Sequence, residues 1–148
     1  MKITISIAEQ TLRLCADDGV TVRAYPCSTS KFGIGTEEGS NRTPLGRFRV
    51  AEMIGHGAPA GTIFKSRVPA GVWDGRPSDE DFVLTRILWL DGLEPANANT
   101  HGRYIYIHGT NQEVRIGTPA SHGCVRLRNA DVVDLFARVE PGTEVEIG

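Results

Sequence analysis

The sequence predicts a mainly β domain with one convincing helix near its C-terminus. Three observations predict it. Apolar residues alternate with polar ones at several places along the chain, the period of a half-buried strand. Glycine is abundant, 17 of 148 residues, and 8 prolines accompany it, which suits short strands joined by many turns. Only one segment carries the 3.6-residue period of an amphipathic helix.

The elements follow in order. Ile3, Ile5 and Ile7 alternate with Thr4 and Ser6, and Thr11-Leu-Arg-Leu-Cys15 alternates again. Asp17-Asp-Gly19 is a turn signal leading into Val20-Thr-Val-Arg-Ala-Tyr25, so the three pieces read as an antiparallel meander. Residues 28 to 43 read as a loop, and Thr43-Pro-Leu-Gly46 turns into a strand over Arg47–Val50. Residues 55 to 81 read as long loops with a short strand near Thr62–Phe64. Phe82–Leu90 has strand composition, 91 to 102 is a loop, and Tyr104–Ile107 is a buried strand, with Gly123–Leu127 a shorter one. In the helix, Val132, Leu135, Phe136 and Val139 form one apolar face, Asn129 is the expected N-cap, and Pro141-Gly142 stops it. Glu144–Ile147 is a closing strand.

The length of 148 residues fits one domain spanning 1–148, large enough to bury about two-thirds of its unfolded surface. Sixteen basic and 18 acidic side chains leave a net charge of −2, which argues against a nucleic-acid partner. The longest unbroken apolar runs are four residues, Ile87–Leu90 and Tyr104–Ile107, against the roughly 20 that a membrane span needs. The opening Met1–Ile7 alternates and lacks the apolar core of a secretory signal. The expectation is a cytoplasmic protein, or an exported one where a signal precedes Met1. The three cysteines, Cys15, Cys27 and Cys124, do not suggest a disulfide framework. Oligomeric state has no signature.

Two clusters carry reactive side chains beside glycine, Ile107-His108-Gly109-Thr110-Asn111 and Ser121-His122-Gly123-Cys124-Val125-Arg126-Leu127. A thiol is mostly protonated at neutral pH and needs a base, itself oriented by a third group, to act as a nucleophile. His108 is the candidate base and Cys124 the candidate nucleophile. Their separation of 16 positions is too long for one helix face and natural for neighbouring strands. Backbone N–H groups at Gly123-Cys124 are candidate donors to an oxyanion. Arg126, two positions on, shares the Cys124 face of a strand and suits a substrate carboxylate. Glycine in both clusters suggests close approach of a substrate to the backbone. Two other readings stand beside this one. His108, His122 and Cys124, with His101 or an acid as the fourth ligand, form a rival zinc set, although the spacings match no common zinc pattern. A Ser121-His122 hydrolase is weaker, since adjacent strand residues face opposite ways. Cys15 and Cys27 read as core, and His56 and His101 as surface residues in loops.

His108-Gly-Thr-Asn111 followed by Ser121-His-Gly-Cys-Val-Arg-Leu-Arg-Asn129 resembles the active-site signature of the L,D-transpeptidase (YkuD-type) catalytic domain family. Thr43-Pro-Leu-Gly-Arg-Phe48 is similar to a second family element, and the first three strands resemble the family's opening, so the likeness covers nearly the whole chain. It implies a β-sandwich with one or two short helices and a peptidoglycan stem peptide as substrate. It implies that Cys124 forms a thioester at the bond between a diamino acid's L-centre and a terminal D-alanine. His108 matches the base, the Gly109 carbonyl its orienting group, and the N–H groups of His122, Gly123 and Cys124 the oxyanion hole. Arg126 and Ser121 fall at positions near bound substrate, and no metal or organic cofactor is implied. Ser28-Thr-Ser30 departs from the family's usual Ser-Thr-Gly, which concerns loop conformation. Phe82–Pro95 resembles a signal-less proteobacterial subgroup and is expected to wall the cleft, with Arg86 and Trp89 as contacts. That subgroup and the absence of an export segment favour L,D-carboxypeptidase activity in peptidoglycan recycling over cross-linking. An inactive wall-peptide-binding domain is the alternative of another class.

Overall fold

The computed structural model describes residues 1–148. Ten strands occur in chain order: β1 (Lys2–Ser6), β2 (Thr11–Cys15), β3 (Thr21–Ser28), β4 (Gly46–Ile54), β5 (Thr62–Lys65), β6 (Val68–Val72), β7 (Val83–Gly92), β8 (Tyr106–Gly109), β9 (Val125–Leu127) and β10 (Glu144–Ile147). One helix, α1 (Asn129–Arg138), lies between β9 and β10, and three single-turn 3-10 segments punctuate the loops. The mainly β class with one helix is what the residue pattern predicts.

The strands form one sheet in the order β4-β10-β1-β2-β3-β9-β8-β7-β5-β6, and β4 also pairs with β7. Eight strands therefore close into a ring, and the β5–β6 hairpin hangs from β7. The two faces of the expected sandwich are parts of this one continuous sheet. Closure is possible because β7 is ten residues long and bulged. Its first residues, Val83 and Leu84, pair with β5, while Ile87–Gly92 pair with β4. The β1–β2–β3 meander is antiparallel as expected, whereas β10 joins β1 in parallel and β8 joins β9 in parallel.

The alternating residues fill the ring. Ile3, Ile5, Leu12, Leu14, Phe48, Val50, Ile107, Val125, Val145 and Ile147 belong to one buried cluster of 18. Removing apolar surface from water is the main force holding these strands together. Helix α1 packs on β7 and β8, with Val132 and Leu135 buried and Phe136 and Val139 packed at the margin of the core.

Three details differ from expectation. The strand β6, Val68-Pro-Ala-Gly-Val72, lacks any alternation because every one of its residues is exposed. The N-cap of α1 is Arg128, not Asn129, and it makes no side-chain capping bond. The Asn129 side chain is engaged elsewhere: its amide donates to the Thr110 carbonyl at 2.9 Å and accepts from Thr85 Oγ1 at 2.6 Å. Asn129 thus ties the helix start to β7 and to the segment after β8. Third, β8 begins at Tyr106, because Tyr104 takes a left-handed conformation (φ 57°) that ends a 3-10 turn.

Candidate active site

The parallel pairing of β8 and β9 sets the site. Ile107 is the register partner of Val125, His108 of Arg126, and Gly109 of Leu127. In-register residues of parallel neighbours point to the same face, and successive residues alternate. Ile105, Ile107, Val125 and Leu127 enter the ring's core. Tyr106, His108, Cys124 and Arg126 consequently share the opposite face. The Tyr106 N–H donates to Cys124 Sγ at 3.3 Å, which locks the register one step before β9 begins.

Cys124 is half-buried and packs against a small cluster of Phe64, Ile87, Trp89 and Tyr106. Its thiol donates to the Tyr104 carbonyl at 3.3 Å. Protein surrounds the sulfur closely enough that burial pushes the thiol up to about 12; the Tyr106 N–H, Arg126 and Arg103 oppose this and Asp81 adds to it. The resting group is a neutral thiol. Cys27 is also pushed up to about 12 by burial, but it is fully enclosed in the main core and no substrate reaches it.

His108 is 1% exposed. Its Nδ1–H donates to the Gly109 carbonyl at 2.5 Å, so Nε2 is left as the proton acceptor. Burial lowers its pKa, opposed by Asp81 and by the Gly109 carbonyl, while Arg126 lowers it further. The imidazole is therefore neutral at pH 7, the form a base requires. Cys124 and His108 lie two positions apart along one face without a direct hydrogen bond between them; the thiol is turned to Tyr104.

The turn before Cys124 is held from outside. Gly123 has φ 119°, and a Cβ there would come within 3.3 Å of the Arg42 carbonyl. Thr43, buried at the head of the Thr-Pro-Leu-Gly segment, donates to the Gly123 carbonyl at 3.0 Å and accepts the Ser30 N–H at 3.0 Å. Ser30 has no left-handed φ and bonds the Asn41 carbonyl through its hydroxyl, so this loop does not need the glycine that is usual there. The Gly123 N–H leans on Ser121 Oγ at 3.3 Å, while the N–H groups of His122 and Cys124 find no protein acceptor. Those two are the donors free to meet an oxyanion.

Several expected roles are corrected by this geometry. Ser121, expected near substrate, is fully buried, and its hydroxyl donates to the Cys124 carbonyl at 2.6 Å, shaping the turn. Gly109 makes room for protein, since a Cβ would lie 2.3 Å from Asn129 Oδ1 and 2.8 Å from the Leu84 carbonyl. Arg86 is engaged by protein groups. It donates to the carbonyls of Ala58 and Thr85 at 2.8 and 2.6 Å and lies over the Phe136 ring, bracing the β7 bulge where Thr85 is forced to φ 76°. Arg126 reaches no open surface. It is 1% exposed, ion-paired with Asp81 at 2.8 Å and bonded to Gln112 Oε1 at 2.9 Å. Trp89 does stand beside Cys124, donating to the His101 carbonyl and stacked on the His101 ring at 3.8 Å. His122 is exposed, with Nδ1 3.1 Å from Asp81.

Three residues of the site carried no sequence signal. Asp81 arrives from the loop before β7. Arg67, on the β5–β6 turn, lies 4.8 Å over Trp89 and 5.0 Å over Tyr104 and donates to Tyr106 Oη at 3.1 Å. No carboxylate pairs with it. Arg103 is held by the carbonyls of Gly35 and Arg42 and raises the positive potential at Cys124. Their separation in sequence from residues 108 and 124 hid them; the period-2 rule on β8 alone points to Tyr106. No group of three or more His, Cys, Asp or Glu side chains is arranged to hold a metal ion.

Fold and site define a mainly β domain whose closed sheet sets a half-buried cysteine on the same face as a buried histidine. Residues 1–147 match the YkuD family, described as the L,D-transpeptidase catalytic domain, and the chain belongs to that family. It is 29% identical over 153 aligned positions to "Probable L,D-transpeptidase ErfK/SrfK" of Escherichia coli, covering 98% of this chain and 43% of that protein. A stretch of 45 residues, 30% of the chain, is 56% identical to "Probable L,D-transpeptidase YbiS" of Escherichia coli, covering 15% of it. The structure superposes on an L,D-transpeptidase from Xylanimonas cellulosilytica with a TM-score of 0.64 at 22% identity, over 99% of this chain and 59% of that one. It superposes on the L,D-transpeptidase LdtMt1, solved in complex with imipenem, with a TM-score of 0.62 at 21% identity, over 99% and 57% of the two chains. The chain thus spans about half the length of the relatives it matches end to end.

Proposed function

We propose that the protein performs cysteine-dependent acyl transfer on peptidoglycan stem tetrapeptides, and that water is the acceptor, which makes it an L,D-carboxypeptidase. One observation carries the chemistry: the half-buried thiol of Cys124 shares a face with His108, whose Nδ1–H is committed to the Gly109 carbonyl. Cys124 Sγ attacks the carbonyl carbon of the diamino acid–D-alanine bond as its proton passes to His108 Nε2. The N–H groups of His122 and Cys124 receive the oxyanion. The C–N bond then breaks, the imidazolium returns the proton to the departing D-alanine amine, and a thioester remains on Cys124. Water, deprotonated by His108, attacks the thioester, and the thiol is regenerated with a free tripeptide carboxylate. The thiol rotates away from Tyr104 to begin, a change of one side-chain torsion.

Arg67 supports a peptide rich in carboxylates. Its guanidinium is immobilised by two aromatic rings and a hydroxyl and forms no salt bridge, while Glu52, whose charge reaches it, is engaged with His101 at 3.3 Å.

Hydrolysis is the first reading because Phe82–Pro95 resembles the signal-less subgroup. The relatives' names, probable L,D-transpeptidases, favour a second, transfer to an amine of another stem peptide, which gives a cross-link. Both share the thioester. Incubation with a soluble tetrapeptide followed by mass analysis separates them. A tripeptide supports the carboxypeptidase, a dimer the transpeptidase, and unchanged peptide with intact protein leaves the binding-only reading. No helix is long and apolar enough to cross a membrane.

A further inference from the structure

We infer that Asp81 is a positioning residue of the Cys124–His108 couple: its carboxylate, clasped between Arg126 and His122, offsets the guanidinium that β9 buries beside His108. Only the kinetic part of this rests on the proposed function.

The placement of Asp81 is built, not incidental. Asn111, from the same His-Gly-Thr-Asn segment as His108, grips the backbone on both sides of it. Its Nδ2 donates to the Glu80 carbonyl at 2.9 Å and its Oδ1 accepts the Phe82 N–H at 3.1 Å. Gln112 extends the clasp, donating to the Ser78 carbonyl at 3.0 Å while accepting from Arg126 Nη1 at 2.9 Å. The carboxylate so delivered lies 2.8 Å from Arg126 Nη2 and 3.1 Å from His122 Nδ1. Its Oδ1 is sealed from solvent, and the contact with Arg126 is an ion pair without an aligned hydrogen bond.

The electrostatic need follows from the register. Arg126 is the direct partner of His108 on the shared face, and it is enclosed. A buried cation beside an imidazole opposes a second positive charge there. His108 must nevertheless carry Cys124's proton while the thioester forms, and at that stage the sulfur is neutral. The charged and titratable groups that face His108 are Asp81 and Arg126, with His122 and Cys124 bordering Asp81. Asp81 is the one anion in this set. It opposes thiolate formation at Cys124, but the thiol rests neutral and loses its proton only during attack.

The test reads His108 directly. Histidine-selective NMR titration of the whole protein, without substrate, compares wild type with Asp81→Asn, Arg126→Gln and the double variant. Expected are a His108 midpoint lowered by about one pH unit in Asp81→Asn, raised in Arg126→Gln, and returned near wild type in the double variant. The double variant leaves no buried unpaired charge, so the comparison survives if Asp81→Asn fails to fold. With tetrapeptide, Asp81→Asn is expected to lose roughly tenfold or more in kcat with KM changed less than about twofold, and Asp81→Glu to recover part of it. A His108 midpoint indifferent to both charges overturns the inference, whatever the activity. Shifted midpoints in a protein that leaves tetrapeptide untouched uphold Asp81's role and remove the proposed function instead.

Discussion

Thr43→Val isolates the support beneath the Cys124 turn. The substitution conserves shape and removes one hydroxyl. That hydroxyl now satisfies two enclosed backbone groups, the Ser30 N–H and the Gly123 carbonyl, each at 3.0 Å. Valine offers neither a donor nor an acceptor. A buried polar group left without a partner costs about 1–3 kcal/mol, so the two together cost about 2–4 kcal/mol once some relaxation is allowed. For a domain of this size 1 kcal/mol moves Tm by about 2–4 °C, so a loss of about 3 kcal/mol lowers it by about 6–12 °C. Thr43→Ser keeps both bonds and loses one methyl, a cost of about 1 kcal/mol. Thermal melts followed by circular dichroism measure both variants, and tetrapeptide turnover is assayed well below either transition. Valine is expected to lose both stability and turnover, serine little of either. A valine variant as stable and as active as the serine variant would refute the link between the Thr-Pro-Leu-Gly segment and the Cys124 turn.

Other outcomes follow from the same geometry. Cys124→Ala abolishes turnover, whereas Cys15→Ala and Cys27→Ala retain it, measured as tripeptide released; activity surviving in Cys124→Ala contradicts the assignment. Arg67→Ala raises KM for tetrapeptide by roughly tenfold, about 1.4 kcal/mol, with kcat held. The same variant should match wild type on a tetrapeptide whose free carboxylates are amidated, and a loss on both substrates argues for a role in folding alone. Burial holds the His108 pKa below 6.5, so kcat/KM is lost on acidification at a midpoint below 6.5. The rate stays level through neutral pH because the thiol is not the titrating group; a rising limb near pH 9 would contradict the neutral pair. His108 also binds its proton less readily folded than unfolded. Its contribution to stability is thus complete above 6.5 and is lost as pH falls through its folded pKa, which denaturant melts across pH detect.

Much of the fold was legible because burial here follows period 2. Ile3, Ile5, Leu12 and Leu14 alternate in sequence and are buried in space, and the α1 face of Val132 and Leu135 does the same at helical spacing. The strand β6 was not legible, since nothing covers it and no pattern is imposed on its side chains. Cys124 and His108 were legible from two short segments whose strands are neighbours. Asp81 was invisible, because its place depends on Asn111 reaching across 30 positions of chain. Asn129 reads locally as a cap, yet the buried groups of Thr85 and Thr110 claim its side chain first. Gly109 suggested room for a ligand and in fact admits Asn129.

The strand order also leaves an open edge outside the closed ring. β6 ends the strand order with a neighbour on one side only, so its outer side is a row of unpaired strand backbone. Two exposed valines, Val68 and Val72, flank it, which would invite strand-to-strand growth of the kind that precipitates β proteins. Pro69 removes a donor from that row, and Gly71, at φ 120°, bends it. The hairpin that brings Arg67 over Trp89 and Tyr104 therefore also carries an open strand edge, and Pro69 interrupts it.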